Sequence, residues 1–131
     1  MHRIYIAGPL FNTHERWYLE RIAEAIEGAG YATFLPHRDA GLVDLRDPQS
    51  QVKVFRDDIT ALDSCDICVA LLTGSDQDSG TSAELGYMFA HGRICFGITD
   101  DFRRAYAVKA VRAAAMTRRA CRRSPSSRAT N

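Results

Sequence analysis

A chain of 131 residues holds one domain with a single sizeable core. With 17 Lys and Arg against 16 Asp and Glu, the net charge of +1 points to no class of partner. No apolar run approaches the roughly 18 residues needed to span a membrane.

The charge distribution says more. Every acid lies at or before Asp101, and from Arg103 onward nine Lys or Arg follow, so an acidic body precedes a basic end. Of the four cysteines, Cys68 and Cys95 fall inside apolar, strand-like runs, which suits reduced thiols in a cytoplasmic protein. Cys65-x-x-Cys68 lacks the second pair or the histidine spacing of a zinc site, so no metal and no cofactor are expected. Met1-His2-Arg3 runs directly into a strand, which leaves no room for a signal peptide.

Taken in order, Ile4-Tyr5-Ile6-Ala7 predicts a strand closed by Gly8-Pro9. Tyr18, Ile22, Ala25, Ile26 and Ala29 share one helical face, which Glu15, Glu20, Glu24 and Glu27 avoid, and Gly28 and Gly30 end that helix. Tyr31 to Leu35 is a second strand, stopped by Pro36. A polar loop with Gly41 and Pro48 leads to a helix with Val52, Phe55, Ile59 and Leu62 on one face. Ile67 to Leu72 reads as a buried strand, turned outward by Thr73 and Gly74. A helix with Leu85, Met88 and Phe89 at helical spacing then runs to Gly92. Ile94 to Ile98 is a fourth strand, and Asp100-Asp101-Phe102 begins another helix.

Strand and helix alternate throughout, which predicts a single-domain α/β fold: a flavodoxin/Rossmann-like parallel sheet with helices on both faces. Right-handed crossovers bring the loops after Ala7, Leu35, Leu72 and Ile98 to one edge, where open α/β sheets bind ligands. The organised domain is expected over 1–104. Residues 105–131 read as a basic Ala/Arg-rich helix, disordered from Ser124 to Asn131. Arg-rich ends are more often solvated than bound to nucleic acid, so no nucleic-acid partner is assigned.

Familiar motifs are missing. Gly28-x-Gly30 follows a helix and lacks the third glycine of a dinucleotide fingerprint, and there is no P-loop. Ser75, Ser79 and Ser82 have no histidine at a spacing that implies a triad. Attention falls instead on Asp78-Ser79-Gly80-Thr81-Ser82-Ala83-Glu84-Leu85-Gly86-Tyr87, at the end of the third strand. Thr81-x-x-Glu84 fits a capping box, which would by itself account for Glu84. Asp58 borders the apolar face of its helix whereas Asp57 points away, so Asp58 either lines a cleft or is a solvated carboxylate. Asp78 is a site acid or a turn-former and cap. Tyr5 is a core aromatic with its hydroxyl at the sheet edge. Phe11 packs a loop or stacks on a flat ligand. His14, His37 and His91 have no matching partners and are given no chemistry.

Together these segments resemble the nucleoside 2-deoxyribosyltransferase family. The matching features are Ile4-Tyr5-Ile6-Ala7-Gly8-Pro9-Leu10-Phe11, Asp58 with Asp66, Val69-Ala70-Leu71-Leu72-x-Gly74, the Asp78–Tyr87 run, Gly92 and Asp101-Phe102-Arg103. The resemblance implies that Glu84 is a nucleophile attacking the anomeric carbon of a 2′-deoxyribonucleoside. A second base would then take the sugar from the deoxyribosyl ester with net retention, as in a retaining glycosidase. It implies that Tyr5 aims Glu84, that Asp78 serves proton transfer to the base, and that Asp58 is a second acid. Gly8, Pro9, Phe11, Ser79, Gly80 and Thr81 would contact substrate. The positive end of its own helix is expected to keep Glu84 ionised.

The partners implied are a deoxynucleoside and a free nucleobase, in a homo-dimer or higher homo-oligomer. A related branch hydrolyses deoxynucleoside 5′-monophosphates, with a phosphate-binding serine where this chain has Asp78. The negative charge there favours an unphosphorylated nucleoside. Hydrolase is therefore the second reading, and a non-catalytic nucleoside-binding domain the third. The chain departs from the family at its end. No Asn occurs between Arg103 and Asn131, where members resemble one another in an Asn donated to a neighbouring subunit, and no further apolar strand follows. A replaced ending would suit this composition and would leave the oligomer and its activity weak.

Overall fold

The computed structural model describes residues 2–40, 48–74 and 76–101, the side chains of residues 48, 49 and 51 excepted. The elements run β1 (Arg3–Ala7), α1 (Thr13–Gly28), β2 (Ala32–Phe34), α2 (Pro36–Asp39), α3 (Pro48–Asp63), β3 (Ile67–Leu71), α4 (Ser79–Ala90) and β4 (Ile94–Ile98). All belong to the unit Met1–Thr99. The expected helix from Asp100 and the tail 105–131 lie outside the described residues, Asp100 and Asp101 themselves being in no helix. No described helix is long and apolar enough to cross a membrane.

The strands form one parallel sheet in the order β2-β1-β3-β4. Alternation along each strand sorts its side chains between two layers. Tyr5, Ala7, Phe34, Cys68 and Ala70 face one way and pack with Ala61 and Leu62 of α3 and Met88 of α4. Ile6, Leu35 and Leu71 face the other way, against Leu19 and Ala23 of α1. Helices therefore cover both faces, as a parallel sheet requires.

The α1 stripe is rotated from its expected position. Leu19 and Ala23 are its buried centre, flanked by Tyr18, Ile22 and Ile26, while Ala25 and Ala29 are exposed. Alanines contribute little apolar area, so the larger side chains set the facing direction. Asn12 and Glu15 form a reciprocal capping box that fixes where α1 begins. In α3 only the C-terminal half is covered: Ala61 and Leu62 are buried, but Val52 is 49% and Phe55 66% exposed. The polar stretch after β2 also holds a short helix, Pro36–Asp39. Pro36 supplies its pre-set first position, and the Asp39 carboxylate accepts from the Leu35 N–H at 2.8 Å.

Candidate functional site

Strand order reverses between β1 and β3, since β2 lies outside β1 and β4 outside β3. Crossovers leave this point in opposite directions and open a crevice at the strands' C-terminal ends. A cavity of about 310 Å³ lies there, lined by Gly8, Pro9, Leu10 and Phe11 after β1 and by Asp78, Ser79, Gly80, Thr81 and Glu84 after β3. Two segments nearly seventy residues apart thus build one site. Of the residues the resemblance singled out, Tyr5 and Asp58 are not among the described residues lining it.

The post-β1 loop is tied from beneath. The Phe11 and Asn12 N–H groups donate to Glu15 Oε2 at 2.9 and 3.1 Å, and the Arg16 guanidinium donates to the Leu10 carbonyl at 2.8 Å. Gly8 permits close approach: a Cβ there would lie 2.6 Å from Leu19 Cδ2. Phe11 is 80% exposed, so it does not pack the loop. Arg16 was not singled out from sequence, and Leu10 only as part of the opening motif. The Asn-x-x-Glu pattern at residues 12–15 was the available signal that α1 starts where it can hold this loop.

On the other side, α4 begins three residues earlier than a Thr81 cap would allow. Asp78 is the N-cap, its Oδ2 accepting from the Thr81 N–H and from Thr81 Oγ1, each at 2.7 Å. Ser82 Oγ donates to the Asp78 carbonyl at 2.9 Å. The Thr81–Glu84 capping box is therefore absent, and Glu84 is released from that duty. Thr81, Leu85 and Met88 lie on the stripe facing the core, with Thr81 and Met88 1% exposed. Glu84 falls beside this stripe, one turn from each end of it.

That placement brings Glu84 over β1. The Tyr5 hydroxyl donates to Glu84 Oε1 at 2.7 Å. Tyr5 itself is fully buried, stacked on Phe34 with ring centroids 5.6 Å apart. Burial, then the adjacent Glu84 charge, drives the Tyr5 phenol far above its usual range, so it stays a donor.

Glu84 is held well above the usual carboxylate range, at about 7. Burial is the largest cause; the Tyr5 hydrogen bond opposes it, and the charges of Asp58 and Asp78 add to it. The expectation that the helix end keeps Glu84 ionised is corrected here. Glu84 sits in the second turn of α4, beyond the first turn where that field acts, and desolvation dominates. Asp58 is half-buried and its pKa is raised, first by burial and then by Asp57. It bears on both Tyr5 and Glu84 through its charge. Asp58 and Asp78 thus both bear on Glu84, three carboxylates in different surroundings, a pattern that separates acid from base roles.

The other cysteine-rich region has a different character. Cys68 neighbours Tyr5 and Cys95 across the sheet, and burial pushes its thiol up to about 12, so it is inert as a nucleophile. Among the described residues no group of His, Cys, Asp or Glu is arranged to hold a metal ion.

Comparison with solved structures finds the same architecture. A 2-deoxyribosyltransferase from Bacillus psychrosaccharolyticus is 22% identical, with a TM-score of 0.67 over 74% of this chain and 72% of its own. A conserved protein from Enterococcus faecalis V583 is 28% identical, with a TM-score of 0.68 over 79% of this chain and 67% of its own. The CMP N-glycosidase of Clostridium botulinum is 20% identical, with a TM-score of 0.55 over 85% of this chain and 80% of its own. At 20% and 22% identity the likeness is one of fold. No functionally curated protein matches the chain. The family model for nucleoside 2-deoxyribosyltransferases matches residues 4–120, most of the sequence and both halves of the cavity. The chain belongs to the nucleoside 2-deoxyribosyltransferase family, enzymes that act on nucleosides.

Proposed function

We propose that the chain transfers 2′-deoxyribose between purine or pyrimidine bases through a covalent deoxyribosyl-Glu84 intermediate. The observation that carries this is the Glu84 carboxylate, largely withdrawn from water, at a cavity and held by the Tyr5 hydroxyl at 2.7 Å. With Oε1 fixed by Tyr5, the ionised carboxylate attacks C1′ of the deoxynucleoside. The C1′–N bond breaks, its electron pair leaves with the base, and an ester to Glu84 forms. A proton from Asp78 or solvent neutralises the base. An incoming free base then attacks C1′ from the vacated side, its ring N–H proton passing to Asp78 or solvent, the ester oxygen leaves, and the carboxylate returns. Two inversions give net retention. A general acid at the departing base contributes on the order of 10² to 10⁴ in rate. In this reading Asp58 is the second acid beside Glu84, and Phe11, Pro9 and Ser79 meet the substrate at the cavity.

Hydrolysis of the same bond is the second reading, favoured by the fold shared with an N-glycosidase. In it water replaces the incoming base. An unphosphorylated nucleoside is the better substrate in either case. The described residues lining the cavity include two carboxylates and no Lys or Arg, and Arg16 behind the loop is bonded to the Leu10 carbonyl.

The chain acts as a homo-oligomer in this reading. Val52, Phe55 and Phe89 are 49, 66 and 74% exposed on the neighbouring helices α3 and α4, an apolar surface typical of an interface.

Mass spectrometry of the protein incubated with a deoxynucleoside tests the mechanism. The expected result is a deoxyribosyl adduct on the parent that is missing from Glu84→Ala. An adduct on another residue, or equal turnover by the variant, removes it. Base exchange with an added free base then separates transferase from hydrolase.

A further inference from the structure

We propose that Thr81 is a positioning residue for Asp78, and that with Gly80 it fixes how that carboxylate meets the base. The inference rests on the role given to Asp78 above. Asp78 Oδ2 receives two hydrogen bonds from one residue, the Thr81 N–H and Oγ1–H, both at 2.7 Å. A bond from the backbone N–H is what any acidic N-cap receives, and it suffices to start the helix. The hydroxyl bond is extra. Thr81 is 1% exposed, so its hydroxyl has no water to fall back on and gives its one proton to Asp78.

Two donors converging on one oxygen restrict rotation of the carboxylate. Gly80 bounds it on another side, since a Cβ at residue 80 would lie 3.2 Å from Asp78 Oδ2. The cap uses Oδ2, and among the described residues no hydrogen bond is made to Oδ1, the oxygen this arrangement offers a ligand. Asp78, Gly80 and Thr81 all line the cavity, so a displaced carboxylate is displaced with respect to substrate. Proton transfer requires heavy atoms within about 2.6–3.2 Å, so a shift of a few tenths of an ångström is felt there. Thr81 is thus reassigned from substrate contact to support of the residue that makes the contact.

The test compares Thr81→Val, Thr81→Ser and Gly80→Ala, each alone and combined with Asp78→Ala. Base exchange between a deoxynucleoside and a free base gives kcat and KM, and thermal melting reports folding. Thr81→Val is expected to lower kcat by about 10- to 100-fold, the range that misplacement of a reacting group produces. Thr81→Ser keeps the hydroxyl and stays near the parent. Gly80→Ala loses kcat while its melting temperature holds or rises, because alanine suits a helix better than glycine. In the Asp78→Ala background none of the three lowers the rate further. Parent-like kcat in both Thr81→Val and Gly80→Ala, or losses that multiply in full on top of Asp78→Ala, overturns the positioning role. Parent-like turnover by Asp78→Ala itself overturns the reading of Asp78, and this inference with it. Should Thr81→Val fail to fold, Gly80→Ala decides.

Discussion

The Tyr5 hydroxyl and Glu84 Oε1, on residues 79 positions apart, meet at 2.7 Å. Parallel register and helix period together make that meeting. Tyr5 points to the α4 side of β1, and α4 lays the row containing Thr81, Glu84, Leu85 and Met88 toward that side. Burial and the charges of Asp58 and Asp78 raise the Glu84 pKa, Tyr5 lowers it, and the balance stands at about 7.

The first prediction concerns pH. The nucleophile in the proposed mechanism is the ionised form, so kcat/KM should fall about tenfold per pH unit below about 7 and level off above it. Tyr5→Phe keeps the ring and removes the bond that favours the anion. Its acid limb should therefore move to higher pH. The plateau should drop by about 10- to 100-fold, the worth of a hydrogen bond to a charged group of roughly 1.5–3 kcal/mol. A limb that stays in place in Tyr5→Phe counts against the Tyr5–Glu84 coupling.

Asp58→Asn should move the same limb the opposite way. The Asp58 charge repels that of Glu84, so neutralising it lets Glu84 ionise at lower pH. If Asp58 is also a second acid, the plateau falls while the limb shifts. Steady-state profiles of the two variants side by side check the signs, and shifts in the same direction refute the electrostatic account.

Much of this was legible in the sequence, and the failures have physical causes. Alternation of strand and helix specified the parallel sheet, and right-handed crossovers placed the post-β1 and post-β3 loops on one edge. Thr81-x-x-Glu84 left a cap open as an alternative because a capping box is a local pattern; Asp78, three residues upstream, competes for the same helix start and wins. The ionisation of Glu84 was misjudged because dipole arguments use distance along the helix, whereas desolvation depends on tertiary packing that spacing does not encode. The Arg16 bond to the Leu10 carbonyl is likewise a property of how the loop folds back. On α3, periodicity identified an apolar face but could not say that Val52 and Phe55 at its N-terminal end would stay exposed.

Those exposed side chains carry the third prediction. Light scattering after size exclusion should give the mass of two or more chains. Phe55→Asp or Phe89→Asp should shift the population toward monomer, because a carboxylate in an apolar contact is left unpaired and desolvated. A parent that is monomeric at working concentrations removes the oligomer from the proposed function.

The last prediction is a stability signature of Glu84 that needs no substrate. Its pKa rises from an ordinary 4.5 to about 7 in the folded chain, so between those values the native state binds more protons than the unfolded state. Stability then falls as pH increases. The favourable contribution of neutral Glu84 is complete below about 4.5 and is lost as pH rises through about 7, a change on the order of 3 kcal/mol. Glu84→Gln keeps the shape and an acceptor for Tyr5 but cannot ionise. Relative to the parent it should gain stability steadily from pH 5 to pH 8 and then level off, read as a growing difference in urea midpoints at unchanged slope. A difference that does not vary with pH means that Glu84 ionises as readily in the folded chain as in the unfolded one, and the acid limb at about 7 then needs another owner.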